Sequence, residues 1–281
     1  MRSKSMTLAI PNGSLFEKTV QLLKKAGATF HFGKRKFETG VEGLGNFDRI
    51  IIMRPQAIPL TVRRGIVAAG ICGWDCVIES GLEKSLELIT ELQYSKATSS
   101  PVRVVVFGKK KKLIDSPGTM VLTEYPNMAK RVFKKATLDF SHGSTEVQIL
   151  SGAYDFGVGI TETGESLRAN GLKIVKTILV SPTVIVARKS TPELNIFGEI
   201  MKGAIDAEKY QLVKMNADQK AKKKILAILP AMKSPTISQL ADGSFSIETV
   251  VRKNSLVSLL MSLRKIDATD ILVQDINIIL A

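Results

Sequence analysis

The segment DFGVGITETGESL, residues 155–167, holds the densest set of groups suited to gripping an anion. A strand-like run from Asp155 to Ile160 leads into Thr161, Thr163, Gly164 and Ser166, and a helix then starts toward Leu167. The three hydroxyls are short donors, the glycine lets the backbone come close to a phosphate, and the free amides of a helix start attract negative charge. The same residues also read as a plain helix cap, with Thr163 capping toward Ser166. Glu162 and Glu165 oppose an anion and must point outward if one binds. His142-Gly143-Ser144 reads as a second nest or as a turn with a cap. Asp75 after Gly73, and Arg54 after DRIIIM, fall where strands end, the edge at which parallel sheets bind ligands. Arg54 reads equally as a solvent-facing residue beside Pro55. Lys109 to Lys112 read as a solvated turn. No nucleophile elbow, P-loop or GxGxxG occurs, so covalent hydrolysis has no visible support.

The elements that would position these groups alternate. Met6–Ile10, Asp48–Met53, Ala69–Gly73, Val102–Phe107, Thr119–Thr123 and Asp155–Ile160 read as strands, short and apolar. Helices are expected after Ser14, with a Ser14–Glu17 capping box, from Ile58 to Val67, from the opening Glu124-Tyr125-Pro126-Asn127 through Lys134, and from Thr145 to Leu150. Two strands follow, Ile174–Leu179 and Thr183–Ala187, then an amphipathic helix from Pro192 to Glu208. Such alternation implies parallel, helix-covered sheets. The tail reads strand Tyr210–Met215, helix Gln219–Leu229, strand Ser246–Val251, helix Leu256–Ile266 and strand Asp270–Ile279, a small ferredoxin-like module.

Composition narrows the class. The chain has 281 residues, 40 Lys+Arg against 26 Asp+Glu for a net charge of +14, and 44% hydrophobic residues. That is an ordinary globular composition of two or three domains, and it asks for an anionic partner. Aromatics make up only 6% and are not interleaved with the basic residues, so nucleic acid is not the expected partner. Cys72 and Cys76 are expected to be reduced and packed, and His31 and His142, far apart in the chain and without cysteine neighbours, do not suggest a zinc site. No apolar run is long enough to span a membrane and no signal peptide is visible, so a cytoplasmic location is expected.

The order AIPNGSL, MRPQAIP, AAGICGWD, TEYPN, GSTEV, DFGVGITETGESLRANGL and LPAMKSPTISQLA resembles the ATP phosphoribosyltransferases, long form, over residues 7–279. The resemblance implies an α/β, two-lobed, periplasmic-binding-protein-like catalytic part followed by a C-terminal ferredoxin-like (ACT-type) α+β regulatory domain. It implies lobe I at 1–98 and 182–207, lobe II at 99–181, and the regulatory domain at 208–281. The implied reaction joins phosphoribosyl pyrophosphate to N1 of the adenine of ATP, with Mg²⁺ carried mainly by the substrate and pyrophosphate leaving, as the first step of histidine biosynthesis. No acid, base or nucleophile is required, so catalysis would rest on orientation and electrostatics. By the same resemblance Thr161, Thr163, Gly164 and Ser166 would anchor the 5-phosphate, Asp155 the ribose hydroxyls, and Arg54 and Glu146 further parts of the substrates. Asn216, Ser234 and Thr236 would bind histidine as a feedback effector between small domains of a homo-oligomer, a dimer or hexamer.

The chain departs from the family pattern at named positions. Asn12 and Ser14 stand where a lysine and an arginine are usual, Ala68 and Gly159 where aspartates are usual, and Asp270 where a small residue is usual. Arg35, Arg63 and Arg64 are the candidate replacement cations. The departures keep a second reading open, a weakened paralogue that binds nucleotide or phosphoribosyl groups and regulates. The charge keeps a third, a nucleic-acid binder, which salt dependence would separate.

Overall fold

The computed structural model describes residues 5–34, 36–95, 100–230 and 234–280. Arg35 lies outside the described residues, as does Lys233 of the KSPT segment. The chain divides into two compact units, Met1–Glu199 and Ile200–Ala281. No helix among the described residues is long and apolar enough to cross a membrane.

The first unit contains two sheets. The first lobe is built from β1 (Met6–Pro11), α1 (Phe16–Lys25), β2 (Glu38–Gly40), β3 (Phe47–Met53), α2 (Ile58–Arg63), β4 (Ala69–Gly73), α3 (Trp74–Glu79) and β5 (Glu87–Leu92). The second is built from β6 (Val102–Gly108), β7 (Met120–Thr123), α4 (Pro126–Val132), β8 (Thr137–Phe140), α5 (Thr145–Ser151), β9 (Phe156–Thr161), α6 (Glu165–Ala169) and β10 (Lys173–Ser181). The chain then returns to the first sheet as β11 (Thr183–Ala187) and continues into α7 (Pro192–Ala207). The strand orders are β2-β3-β1-β4-β11-β5 and β10-β6-β9-β7-β8. The fold is therefore two-lobed and periplasmic-binding-protein-like: the second lobe is one continuous stretch of chain, and the first is completed by β11 after the chain returns from it.

Neither sheet is wholly parallel. β1, β3 and β4 run together, as do β7, β8 and β9, but β2, β11, β6 and β10 pair antiparallel with their neighbours. Two crossings between lobes reverse the chain, which alternation alone does not reveal. Ile50, Leu8, Ala9 and Ile71 are fully buried, as are Val104, Val106 and Val158, as expected of central strands with helices on both faces.

Several local expectations need correction. Ser14 forms no capping box: Gly13–Leu15 is a 3₁₀ turn, α1 starts at Phe16, and neither element has a side-chain cap. The backbone does the work instead, since the Phe16 amide donates to the Gly13 carbonyl. The helix expected to reach Val67 ends at Arg63. Strands β2, β5 and β8 and helix α3 carry too few residues or too mixed a pattern to stand out in the sequence.

The second unit is β12 (Tyr210–Ala217), α8 (Gln219–Ile228), β13 (Thr236–Gln239), β14 (Phe245–Arg252), α9 (Leu256–Lys265) and β15 (Thr269–Asp275). Its antiparallel sheet has the order β13-β14-β12-β15. This is the four-stranded ferredoxin-like arrangement, with β13 added to the three strands read from the sequence. The last strand ends at Asp275 rather than Ile279. Val213, Met215, Ile247 and Val251 alternate inward against Ile225 and Leu263 of the two helices. The Asp218 carboxylate caps α8 by accepting the Ala221 amide at 2.6 Å.

Candidate functional site

Ligands of open α/β sheets bind beyond the carboxyl ends of parallel strands. In the first lobe these ends bring Asn12, Arg54 and Trp74 to one edge, after β1, β3 and β4. The Asn12 amide donates to the Met53 carbonyl at 2.9 Å, so Asn12 and Arg54 are neighbours. Both are exposed. In the second lobe the carboxyl ends of β7, β8 and β9 bring together Glu124, the 141–144 turn and the 161–166 loop.

These two edges meet at the hinge. Asp75, in the first turn of α3, is 2% exposed. It accepts the Tyr125 hydroxyl at 2.8 Å and the Ser181 hydroxyl at 2.6 Å, and its own amide donates to Ser181 at 2.8 Å. Glu79, at the end of α3, accepts the amides of Asn127 and Met128 at 2.8 and 2.9 Å, which caps α4 from the other lobe. Asp75 is thus a buried tie between lobes and not the ligand group that its place after a strand suggested.

The 161–166 loop is prepared by its own hydroxyls. Thr161 Oγ1 accepts the Gly164 amide at 2.9 Å and Thr163 Oγ1 accepts the Glu165 amide at 3.3 Å. Gly164 sits at φ +75°, the left-handed region, at the N-cap position of α6, and Thr163 reaches the Glu165 amide at the helix start rather than that of Ser166. Arg168 donates to the Thr163 carbonyl at 3.0 Å. A Cβ on Gly164 would lie 3.1 Å from Arg168 Nη1 and 3.8 Å from Arg103 Nη2, so two guanidiniums stand beside the glycine. Arg103 pairs with Thr161 across β6 and β9. Sequence reasoning missed it, because only the antiparallel register brings residue 103 to residue 161. Ser166 lies exposed in the first turn of α6.

The remaining expected residues separate into two groups. Glu146, in the first turn of α5, shares the carboxyl edge with the loop. α5 is held there by Ile149, which packs with Phe107 and Leu167 in one core cluster. Asp155 does not share that edge. It precedes β9, six residues before Thr161 and about 20 Å away at strand rise. Its carboxylate accepts the Met120 amide at 2.9 Å, and it lines a cleft of about 400 Å³ with Lys109, Lys110 and Thr119 at the opposite end of the sheet. Ribose contacts from Asp155 and phosphate contacts from Thr161 therefore cannot serve one sugar in this arrangement. Lys109 to Lys112 are exposed at that same far end. Gly159 lies within β9, where a Cβ would meet Phe107 at an ordinary 3.5 Å.

In the first lobe, Asn12 and Ser14 line a cleft of about 620 Å³ with Lys18, Gln21, Lys36 and Phe37. Lys36 and Lys18 are the cations that tertiary structure supplies there. Arg63 and Arg64 end α2, which leads away from this edge, so they are not replacements. Ala68 precedes β4 at the amino edge and lines a different cleft, with Arg188 and Lys189. Around Ser141 the turn is tied by its own hydroxyls: Ser141 Oγ meets Thr145 Oγ1 at 2.7 Å and accepts the Gly143 amide at 3.2 Å. Cys72 and Cys76 are buried free thiols, and burial first, then the Asp75 charge, pushes both well above the usual thiol value. Among the described residues no three His, Cys, Asp or Glu side chains gather as a metal cage.

In the second unit, Asn216 donates to Asp270 at 3.0 Å. Asn216 pairs with Ser246, and Thr236 with Glu248, two residues farther along β14. Asn216 and Thr236 are thus separated by one intervening strand and about 12 Å. Ser234 is exposed just before β13. One chain alone does not bring the three to a common small-molecule contact.

Comparison with known proteins bears on this arrangement. Residues 54–207 match the family model described as ATP phosphoribosyltransferase, and residues 207–278 match the model described as the C-terminal domain of that family. A protein of Desulforudis audaxviator named ATP phosphoribosyltransferase is 33% identical, with 97% of this chain and 98% of the relative covered. A Geobacter sulfurreducens protein named ATP phosphoribosyltransferase 1 is 31% identical with the same coverage. A solved Thermotoga maritima structure, titled as an ATP phosphoribosyl transferase (HisG:HisZ) complex, has a TM-score of 0.60 and 27% identity, covering 72% of this chain and 98% of that one.

Proposed function

The chain belongs to the ATP phosphoribosyltransferase family, and from that premise we propose how its residues divide the reaction. The enzyme is a glycosyltransferase of histidine biosynthesis, joining phosphoribosyl pyrophosphate to ATP in the first step. The adenine N1 is itself a nucleophile, so the protein's task is to hold two polyanions in line and to stabilise the charge of departing pyrophosphate.

The observation that carries the assignment is the shared location of the candidate groups at carboxyl edges of two lobes tied together by Asp75 and Tyr125. The 161–166 loop holds the 5-phosphate: its hydroxyls already bond its own amides and exchange those bonds for phosphate oxygens on binding. Arg103 and Arg168 supply the nearby positive charge. Glu146 serves the sugar from the same edge, a role Asp155 is too distant to share. Arg54 faces the pyrophosphate from the first lobe, and Lys18 and Lys36 stand in for the cations that Asn12 and Ser14 lack. Mg²⁺ enters with the polyphosphate substrates and neutralises part of the leaving group's charge. That role fits a site edged by scattered carboxylates rather than by a metal cage.

The tail is proposed as a regulatory module. Histidine binds at Asn216, Ser234 and Thr236, and because these are separated within one chain, the pocket is completed by a neighbouring copy in a dimer or hexamer. The activity is tested by mixing the protein with ATP, phosphoribosyl pyrophosphate and Mg²⁺ and following the adduct and pyrophosphate. Tight substrate binding with no adduct would favour the weakened-paralogue reading that Asn12, Ser14 and Gly159 keep open.

A further inference from the structure

The phosphate loop carries an apparent contradiction, two glutamates in a segment meant for an anion. The two are not alike. Glu165 is exposed in the first turn of α6, where water screens it. Glu162 is half-buried between Thr161 and Thr163 and would repel a phosphate bound by its neighbours. Its carboxylate instead accepts the hydroxyl of Ser95, a residue 67 positions away on the segment that crosses from the first lobe to the second. Ser95 is 4% exposed. Its own position is anchored by Tyr94, whose hydroxyl meets Thr19 Oγ1 at 2.7 Å and whose carbonyl accepts the Thr183 hydroxyl at 2.8 Å. The donor is therefore presented next to a buried, hydrogen-bonded residue.

We propose that Ser95 is a positioning residue for substrate binding: its hydroxyl holds the Glu162 carboxylate aside, and so lets a loop containing that carboxylate accept a phosphate. The proposal rests on the reading of residues 161–166 as the phosphoribosyl phosphate site. It adds a crossing segment to that site, which no local motif contains. Without the hydroxyl, the Glu162 carboxylate loses the donor that offsets its charge beside the loop, and the penalty falls on binding of the phosphorylated sugar rather than on the chemical step.

Calorimetry with phosphoribosyl pyrophosphate and Mg²⁺, together with steady-state kinetics, tests this on the full chain. Ser95→Ala should weaken binding by about tenfold or more and raise KM for the sugar substrate more than it lowers kcat. Ser95→Thr, which keeps the hydroxyl, should bind within about threefold of the parent. The decisive variant is Ser95→Ala combined with Glu162→Gln. Removing the charge should restore most of the lost affinity, whereas a merely structural tie would leave the double variant as weak as the single one or weaker. Undiminished binding in a folded Ser95→Ala protein, or no recovery in the double variant, overturns the proposal. If Ser95→Ala does not fold, Ser95→Cys replaces it, with the same recovery required on adding Glu162→Gln. A parent protein that binds no phosphoribosyl pyrophosphate overturns the site reading itself.

Discussion

Tyr125 of the second lobe donates its hydroxyl to Asp75 of the first at 2.8 Å, and both side chains are almost wholly buried. The other partners of this carboxylate are the Ser181 hydroxyl and the Cys76 thiol at 3.6 Å, so the charge sits among neutral donors beside two thiols. Burial, then the Asp75 charge, holds the Tyr125 phenol far above its ordinary value, and burial does the same for Tyr94. Each of these folded-state values is raised, so the stability they carry is complete below the unfolded values, 9.0 for thiols and 10.0 for phenols, and is lost as pH rises beyond them. The protein should therefore be insensitive to these groups up to about pH 9 and unfold cooperatively above it. Tyrosinate absorbance and a thiol-reactive dye should report the same transition. Rapid labelling of both thiols in the native protein near neutral pH would contradict this arrangement.

Gly164→Val should remove phosphoribosyl pyrophosphate binding while leaving the fold. The left-handed φ of +75° strains a β-branched residue by roughly 1–2 kcal/mol. Its Cβ would also lie 3.0 Å from Ile174 Cδ1 and 3.1 Å from Arg168 Nη1. Thermal melting should show the modest loss and calorimetry the absence of binding. Retained affinity in the folded variant would count against the loop.

Asn12→Lys and Ser14→Arg should each leave stability within about 0.5 kcal/mol of the parent. Both residues are exposed, and neither side chain caps a helix. A capping serine would cost roughly 1 kcal/mol on loss, but Ser14 sits inside the 3₁₀ turn and caps nothing. Added charge beside Lys18 and Lys36 should tighten pyrophosphate, with the gain shrinking at high salt. Weaker pyrophosphate binding in Asn12→Lys, measured by competition, would place that substrate elsewhere.

Asp270→Gly addresses regulation. Asp270 holds a left-handed φ of +46° and accepts the Asn216 amide. Glycine relieves about 1 kcal/mol of backbone strain and gives up a surface hydrogen bond of similar worth, so the melting temperature should change little. The freed Asn216 amide should bind histidine more tightly, and linkage requires histidine and substrate affinities to shift reciprocally. Calorimetry with histidine measures it, and equal affinity in both proteins would detach Asn216 from the effector site.

Much of this molecule is legible in its sequence. Apolar runs such as DRIIIM and VRVVVF announce buried strands because a strand hidden on both faces has no polar side to show. The loop at 161–166 declares itself because hydroxyls and a glycine before a helix are a local pattern. The tail's alternation of elements is local as well, and its short β13 is missed for want of an inward face, all four residues being exposed.

What the tertiary structure decided are relations between residues far apart in the chain. Asp155 and Thr161 bound one strand and so stand at opposite ends of it, which no pattern of residue types reveals until the strand's length and direction are known. Arg103 reaches Thr161 through antiparallel register, Ser95 reaches Glu162 across 67 residues, and Asp75 turns from a ligand candidate into the tie between lobes. Short-range propensities specify where strands and helices begin. Which ends share an edge depends on strand order and direction, and these are set by the long-range burial of side chains in a common core.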